Sequence, residues 1–195
     1  MVGNEENLIE QCLESCKFAD ENILVMANST EKIKQIAKKT IPNIKITETK
    51  DEYNKNFAKW RNMGYKLATG DWILYVDTDE VVTESLQKEI LQTINNFQFS
   101  IFNYYVIPRA NHFLGKRVRY GNSYPDYVKR LFLRKDFGGF TGILHEEPIV
   151  KGEIGYLKND LLHYTHRDLA SMLDKTNSWT DMEAQALFEN NHPPV

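Results

Sequence analysis

An α/β fold, built on a mostly parallel central sheet flanked by helices, is what three observations predict. Residues 1–98 alternate short apolar runs with stretches of helical periodicity, the pattern of a parallel sheet covered on both faces. Residues 99–166 turn aromatic and glycine-bearing, with short strand-like runs between turn signals, which reads as antiparallel strands and long loops. From 167 to about 190 the spacing is helical again, so a C-terminal helix is expected. A length of 195 residues fits one domain made of these three parts. The chain is 42% hydrophobic and 26% charged, which excludes a disordered chain, and 24 basic against 27 acidic residues leave no basic footprint for nucleic acid. Two cysteines cannot build a disulfide framework, so a reducing, cytoplasmic setting is expected. No apolar run approaches the roughly 18 residues of a membrane span.

Taken in order, Asn4 is placed to cap a helix whose buried stripe is Leu8, Ile9, Cys12, Leu13 and Cys16. Ile23-Leu24-Val25-Met26 reads as a buried strand, and Asn28-Ser29-Thr30 supplies cap chemistry for a helix carrying Ile33, Ile36 and Ala37. Ile44-Lys45-Ile46 alternates like a strand. Residues 54–68 read as a helix with Phe57, Trp60, Arg61, Gly64 and Tyr65 along one side. Thr69-Gly70-Asp71 turns the chain into a second buried strand, Trp72 to Val76, and Thr83 is placed to cap a helix through Leu86, Ile90 and Ile94. Later strand-like runs lie at 104–107, 127–133 and 149–150, with turns at Leu114-Gly115-Lys116 and Phe137-Gly138-Gly139. Leu169, Met172, Leu173 and Thr176 share one face of the last helix.

The sharpest chemical signal is Asp77-Thr78-Asp79-Glu80, directly after an apolar strand. Strand ends of open α/β sheets face the ligand crevice. On an extended segment Asp77 and Asp79 point the same way, toward one hard divalent cation, while Glu80 points elsewhere. A solvated acidic turn is the competing reading. No P-loop, G-x-S-x-G or G-x-G-x-x-G stands in the right context, so NTPase, hydrolase and dinucleotide readings lack support.

The run Ala68-Thr69-Gly70-Asp71-Trp72-Ile73-Leu74-Tyr75-Val76-Asp77-Thr78-Asp79-Glu80 resembles the A-x-G-D-W-hydrophobic-D-x-D-E segment of family 2 glycosyltransferases with the GT-A fold. Asn4-Glu5-Glu6 resembles the loop after that family's first strand, and Trp60-Arg61-Asn62 the A-R-N of the preceding helix. Arg130-Leu131-Phe132, His145-Glu146 and Leu162-His163-Tyr164 resemble the later half of its lipopolysaccharide-core β-glucosyltransferase-like branch. The resemblance implies a GT-A-like sheet and an inverting transfer of sugar from a nucleotide-sugar, expected to be UDP-linked, to a saccharide or glycolipid of a cell-envelope glycan. Mg²⁺ or Mn²⁺ is the implied cofactor. Two departures stand out. The chain begins inside the first motif, so the family's first strand is expected to be missing, and the Asp usual after the second strand falls at Ala27. The end, His192-Pro193-Pro194-Val195, resembles the point where relatives continue into an aromatic, basic segment, so a shortened chain with peripheral membrane contact through an absent segment is expected.

Roles follow from that resemblance together with side-chain chemistry. Asp79 is the expected metal ligand, with Asp77 sharing the ion or reaching the ribose, and His163 completes the metal shell, with His166 as competitor. Asn4 and Glu6 fall on the nucleotide side. Arg61, whose planar fork suits oxyanions, is expected at the base or diphosphate, and Arg130 and Arg134 at the diphosphate. Inversion needs a general base, and Glu146 matches by resemblance, with His145 orienting it or binding acceptor and Glu147 and Glu80 as competitors. Two rivals stand beside this reading: a nucleotidyltransferase on a related fold, and a non-catalytic saccharide- or partner-binding remnant.

Overall fold

Ile9, Cys12 and Leu13 lie at helical spacing, and they are the buried residues of helix α1 (Glu6–Ser15) in the computed structural model. The structure describes residues 6–27, 29–50, 56–121, 124–142, 146–166, 168–170 and isolated positions from 172 to 188. The Asn4 cap lies outside them. Strand β1 (Ile23–Ala27) is the expected apolar run. Helix α2 (Glu31–Thr40) buries Ile33 and Ala37 and ends in Lys38 and Lys39, which suit the negative end of its dipole. Thr30 stands at its N-cap without a capping bond, because its hydroxyl donates to Glu6 Oε1 instead. Strand β2 (Lys45–Thr49) runs parallel to β1, as a strand–helix–strand unit requires. Leu24 and Met26 meet Ile9, Leu13, Ile33 and Ala37, so α1 and α2 cover one face of β1. Val25 and Ala27 point the other way, against Trp60.

Helix α3 (Phe57–Leu67) is capped by Asn56, whose Oδ1 accepts from the Lys59 amide at 2.8 Å. It leads into β3 (Trp72–Leu74), a turn, β4 (Glu80–Val82) and α4 (Glu84–Asn95). Thr83 caps α4 through the Leu86 amide, as its sequence position predicts. The second half supplies β5 (Phe102–Phe113), β6 (Lys116–Arg117), β7 (Asp126–Leu133), β8 (Phe137–Thr141), β9 (Glu147–Val150), β10 (Glu153–Tyr156) and β11 (Leu161–His166). The described positions from 169 to 188 are helical, and Leu169, Leu173 and Phe188 are exposed.

The fold is α/β, as expected, and its larger sheet is mixed, in the order β3-β7-β5-β11-β4, with β6 and β10 pairing further stretches of β5. β5 runs antiparallel to β7 and parallel to β10 and β11, so strands of both halves interleave. Parallel pairing without helical crossovers arises here because β10 and β11 lie in line along one edge of β5. β1 has only β2 beside it and β3 only β7, among the described residues. Between them lies a cavity of about 700 Å³, lined by Ile23, Leu24 and Val25 on one side and by Trp72, Ile73 and Leu74 on the other.

Phe137-Gly138-Gly139, expected as a turn, is instead the start of β8, which pairs with β9. Gly139 has φ +91°, and a Cβ there would stand 2.4 Å from Asn62 Oδ1. Gly139→Ala is expected to cost about 1–3 kcal/mol, seen as a lower urea midpoint with an unchanged slope. The strain is local: Asn62 Oδ1 accepts from the Phe140 amide and Asn62 Nδ2 donates to the Phe140 carbonyl, both at 2.8 Å.

Candidate functional site

The carboxyl end of β3 opens onto a chain of charged groups. The segment after it is not extended, because the Glu80 amide donates to the Asp77 carbonyl at 2.9 Å and closes a turn. The expectation that Asp77 and Asp79 face one ion rested on an extended segment, and around this turn the two carboxylates have different partners, Arg61 and Arg130 for Asp77 and His163 for Asp79. Asp77 Oδ1 and Oδ2 accept from the two terminal nitrogens of Arg61 at 3.0 and 3.1 Å, and Oδ2 also accepts from Arg130 at 2.6 Å. Burial alone would raise the Asp77 pKa, and the Arg130 and Arg61 guanidiniums outweigh it, holding the carboxyl well below the usual carboxylate range. Burial works against the charge of Arg130 too, and Asp77 and Glu80 outweigh it in turn.

Glu80 is wholly buried. Its Oε1 accepts from Arg130 at 2.6 Å and its Oε2 from the Asp77 amide at 2.9 Å, so it braces the turn and is no competitor for general base. Glu147, the other competitor, lies on the surface and pairs with Lys129 at 2.8 Å. Glu146, unlike Glu147, is joined to the cluster: its Oε1 accepts from Arg61 Nε at 2.9 Å. Arg61, 7% exposed, thus links Asp77 to Glu146, with its guanidinium over the rings of Phe140 and Tyr75 at 5.4 and 5.8 Å.

Asp79 meets His163, which β11 carries beside Glu80 of β4. His163 Nε2 lies 3.3 Å from Asp79 Oδ2. Asn111 donates through Nδ2 to Asp126 at 2.9 Å, which leaves its Oδ1 as acceptor for His163 Nδ1–H at 2.6 Å. With Nδ1 engaged by Asn111, Nε2 is the ring nitrogen that faces Asp79. Arg109 extends the network, donating to Asp126 at 2.7 and 2.9 Å and lying 3.6 Å from Glu80. Among the described residues, five carboxylates (Asp77, Asp79, Glu80, Asp126, Glu146) meet three guanidiniums (Arg61, Arg109, Arg130), a formal excess of two negative charges. Among the described residues no three His, Cys, Asp or Glu side chains form a closed metal cage. Two protein ligands with the remainder from phosphate oxygens and water is a donor set that Mg²⁺ or Mn²⁺ accepts, so Asp79 and His163 fit such an ion.

Arg134 is not brought to the cluster. β7 runs antiparallel to β3, so the residue just past its end is exposed and lies beside Asp71, at the amino end of β3, and Asp77 is at the other. Glu6 lies past the carboxyl end of β1, paired with Lys32 at 2.5 Å and accepting from Thr30. Asn4, His145 and the His166 side chain lie outside what the structure describes. Arg109, Asn111 and Asp126 are additions that sequence reasoning missed. The signal available was in β5, where the inward series Tyr105, Ile107, Arg109, Asn111 changes from apolar to polar at period two.

Residues 2–151 match the family model described as "Glycosyl transferase family 2". The SPbeta prophage-derived glycosyltransferase SunS of Bacillus subtilis (strain 168) is 27% identical over 150 residues, which are 76% of this chain and 33% of that protein. The glycosyltransferase SunS of Bacillus phage SPbeta matches to the same extent. The chain spans about a third of the length of these relatives. Crystal structures of S. aureus TarS share the fold: one superposes with a TM-score of 0.57 at 17% identity, over 83% of this chain and 35% of that one. TarS 1-349 gives 0.59 at 18%, over 84% and 58%.

Proposed function

Because the chain belongs to glycosyl transferase family 2, we propose that its site transfers a sugar with inversion from a nucleotide-sugar, UDP-linked in the first instance, to a saccharide acceptor. A glycolipid or saccharide of a cell-envelope glycan is the acceptor class we carry forward from the sequence resemblance. The observation that supports the reading best is the Asp79–His163 pair within a cluster of excess negative charge at the carboxyl end of β3. Asp79 and His163 are the residues proposed to hold Mg²⁺ or Mn²⁺. Such an ion, when bound, offsets the charge that grows on the departing nucleoside diphosphate.

The chain's own groups do the rest. Glu146 takes the proton of the acceptor hydroxyl, a contribution of roughly 10²–10⁴-fold for a well-placed base. Arg61 holds that carboxylate at 2.9 Å and ties it to Asp77, so the base is fixed relative to the donor side. Asn111 fixes the His163 tautomer and leaves Nε2 to face Asp79. Arg61 and Arg130, both buried and paired, act as braces of Asp77 rather than as open diphosphate contacts. No helix among the described residues is long and apolar enough to cross a membrane. The cytoplasmic face of a membrane or the cytoplasm itself is the proposed setting.

Calorimetric titration with UDP, with and without Mn²⁺, tests the proposal. Metal-dependent UDP binding is the expected result, and Asp79→Asn is expected to abolish the Mn²⁺ dependence while the circular dichroism stays unchanged. UDP binding that ignores Mn²⁺ in both proteins would remove the metal from the reading. No UDP binding at all would favour a non-catalytic remnant.

A further inference from the structure

We propose that Cys12 and Cys16 are a redox modification site: a low-molecular-weight disulfide oxidises the pair to an internal disulfide, and that bond loosens the turn that sets Asp77. They are the chain's two cysteines, Cys12 buried in α1 and Cys16 partly exposed just past its end. Four residues apart, they lie on one side of the helix, and their side chains share a hydrogen bond.

The pair is bonded to the frame of the site. Cys12 Sγ donates to the Asp77 carbonyl at 3.4 Å, the same oxygen that takes the Glu80 amide and closes the turn. Ser15 Oγ lies 3.9 Å from Cys16 Sγ, donates to the Cys12 carbonyl at 2.7 Å and accepts from the Val82 amide at 3.1 Å. The last turn of α1 thus holds the segment from Asp77 to Val82 at both ends.

A bridge forms only if that turn moves. Side chains four apart on a helix keep their Cβ atoms about 5–6 Å apart, and a disulfide needs about 3.5–4.5 Å. The chain can give there, because it has left α-helical bonding. The Cys16 amide donates to the Leu13 carbonyl at 3.0 Å and the Ala19 amide to the Cys16 carbonyl at 3.1 Å, each three residues back. Oxidation therefore takes the Cys12 S–H from the Asp77 carbonyl and draws Ser15 off the Val82 amide. A bond under such strain is easily reduced again, as regulatory disulfides are.

Glutathione disulfide is an oxidant of the required class. The Cys16 thiolate attacks one of its sulfurs and releases one glutathione, and the Cys12 thiolate then attacks the Cys16 sulfur of the mixed disulfide and releases the second. Two S–H bonds are lost and one S–S bond forms, while two electrons and two protons turn glutathione disulfide into two thiols. Cys16 is the entry point because it is the more exposed. Hydrogen bonds from Cys12 and Ser15 also outweigh burial and hold its pKa below the usual thiol value.

The test treats the 195-residue chain with glutathione disulfide and digests it with trypsin. Residues 1–17 form one tryptic peptide with both cysteines, expected to lose the mass of two hydrogens and to regain it with dithiothreitol. Amide hydrogen exchange at Val82 and Glu80 is expected to be at least about fivefold faster in the oxidised chain. Cys16→Ser, treated alike, is expected to change in neither respect. Glutathione left on Cys16 without an internal bond, a bond between two chains, or an internal bond with both amides at their parent rates would overturn the proposal. Oxidation is also expected to weaken Mn²⁺-dependent UDP binding at least about fivefold, an effect that rests on the function proposed above. Equal UDP affinity in the two redox forms would overturn the link to the site. A reduced chain that binds no UDP would overturn the transferase reading, and mass and exchange then decide the redox site by themselves.

Discussion

Glu146→Gln is expected to lower turnover by at least about 10²-fold while donor affinity changes little. Glutamine keeps the shape and the acceptor oxygen that Arg61 Nε meets at 2.9 Å, so Arg61 and Asp77 stay in place and only proton acceptance is lost. Glu147→Gln serves as the comparison, because its carboxylate is on the surface with Lys129. It is expected to keep nearly the parent rate. Initial rates under saturating donor, with UDP affinity by calorimetry, check both variants. A normal rate in Glu146→Gln with a collapse in Glu147→Gln would move the base off the residue that Arg61 holds.

Arg130→Leu is expected to cost about 3–5 kcal/mol of folding stability, the range for breaking a buried ion pair from one side. The loss is large because Arg130 answers two carboxylates at once, Asp77 and Glu80, each at 2.6 Å. Its pH dependence identifies the cause. In the parent, the folded pKa of Asp77 is depressed, so its contribution is present above the unfolded value of about 4 and fades as pH falls through the folded one. Without Arg130 that contribution shrinks, so the gap between parent and variant is expected to be widest at neutral pH and to narrow below about pH 4. Urea melts across that range check it. A gap that does not change with pH would point to lost packing in place of lost charge.

The sequence carried those features whose causes are local. The stripe of α1, the Thr83 cap and the apolar strand before Asp77 need only neighbours in the chain. Asp77, Arg61, Arg130 and Glu146 were legible as site candidates, and the structure joins them. Their pairing was not, because it depends on a turn closed by Glu80 and on β7 crossing beside β3. β5 shows the same limit: Pro108 and polar residues break its apolar run, and only partners on both edges hold twelve residues as one strand. The first residues of β8 looked like a turn because glycine allows a positive φ, and Asn62 uses that freedom.

The bond pair from Asn62 to Phe140 gives a helix side chain the place of a neighbouring strand at one residue of β8. Its consequence is dynamic. The Phe140 amide is shielded from solvent hydrogen only while α3 and β8 stay together, so its exchange rate follows the parting of those two elements and not the breathing of a sheet. Tyr65 binds the Phe137 carbonyl at 2.7 Å from the same helix, which makes the parting a joint event. Arg61 stands directly before Asn62 on α3, and Glu146 follows β8, so the opening that releases Phe140 also loosens the grip on the base. Hydrogen exchange at that one amide thus reads how often the acceptor side of the site comes apart.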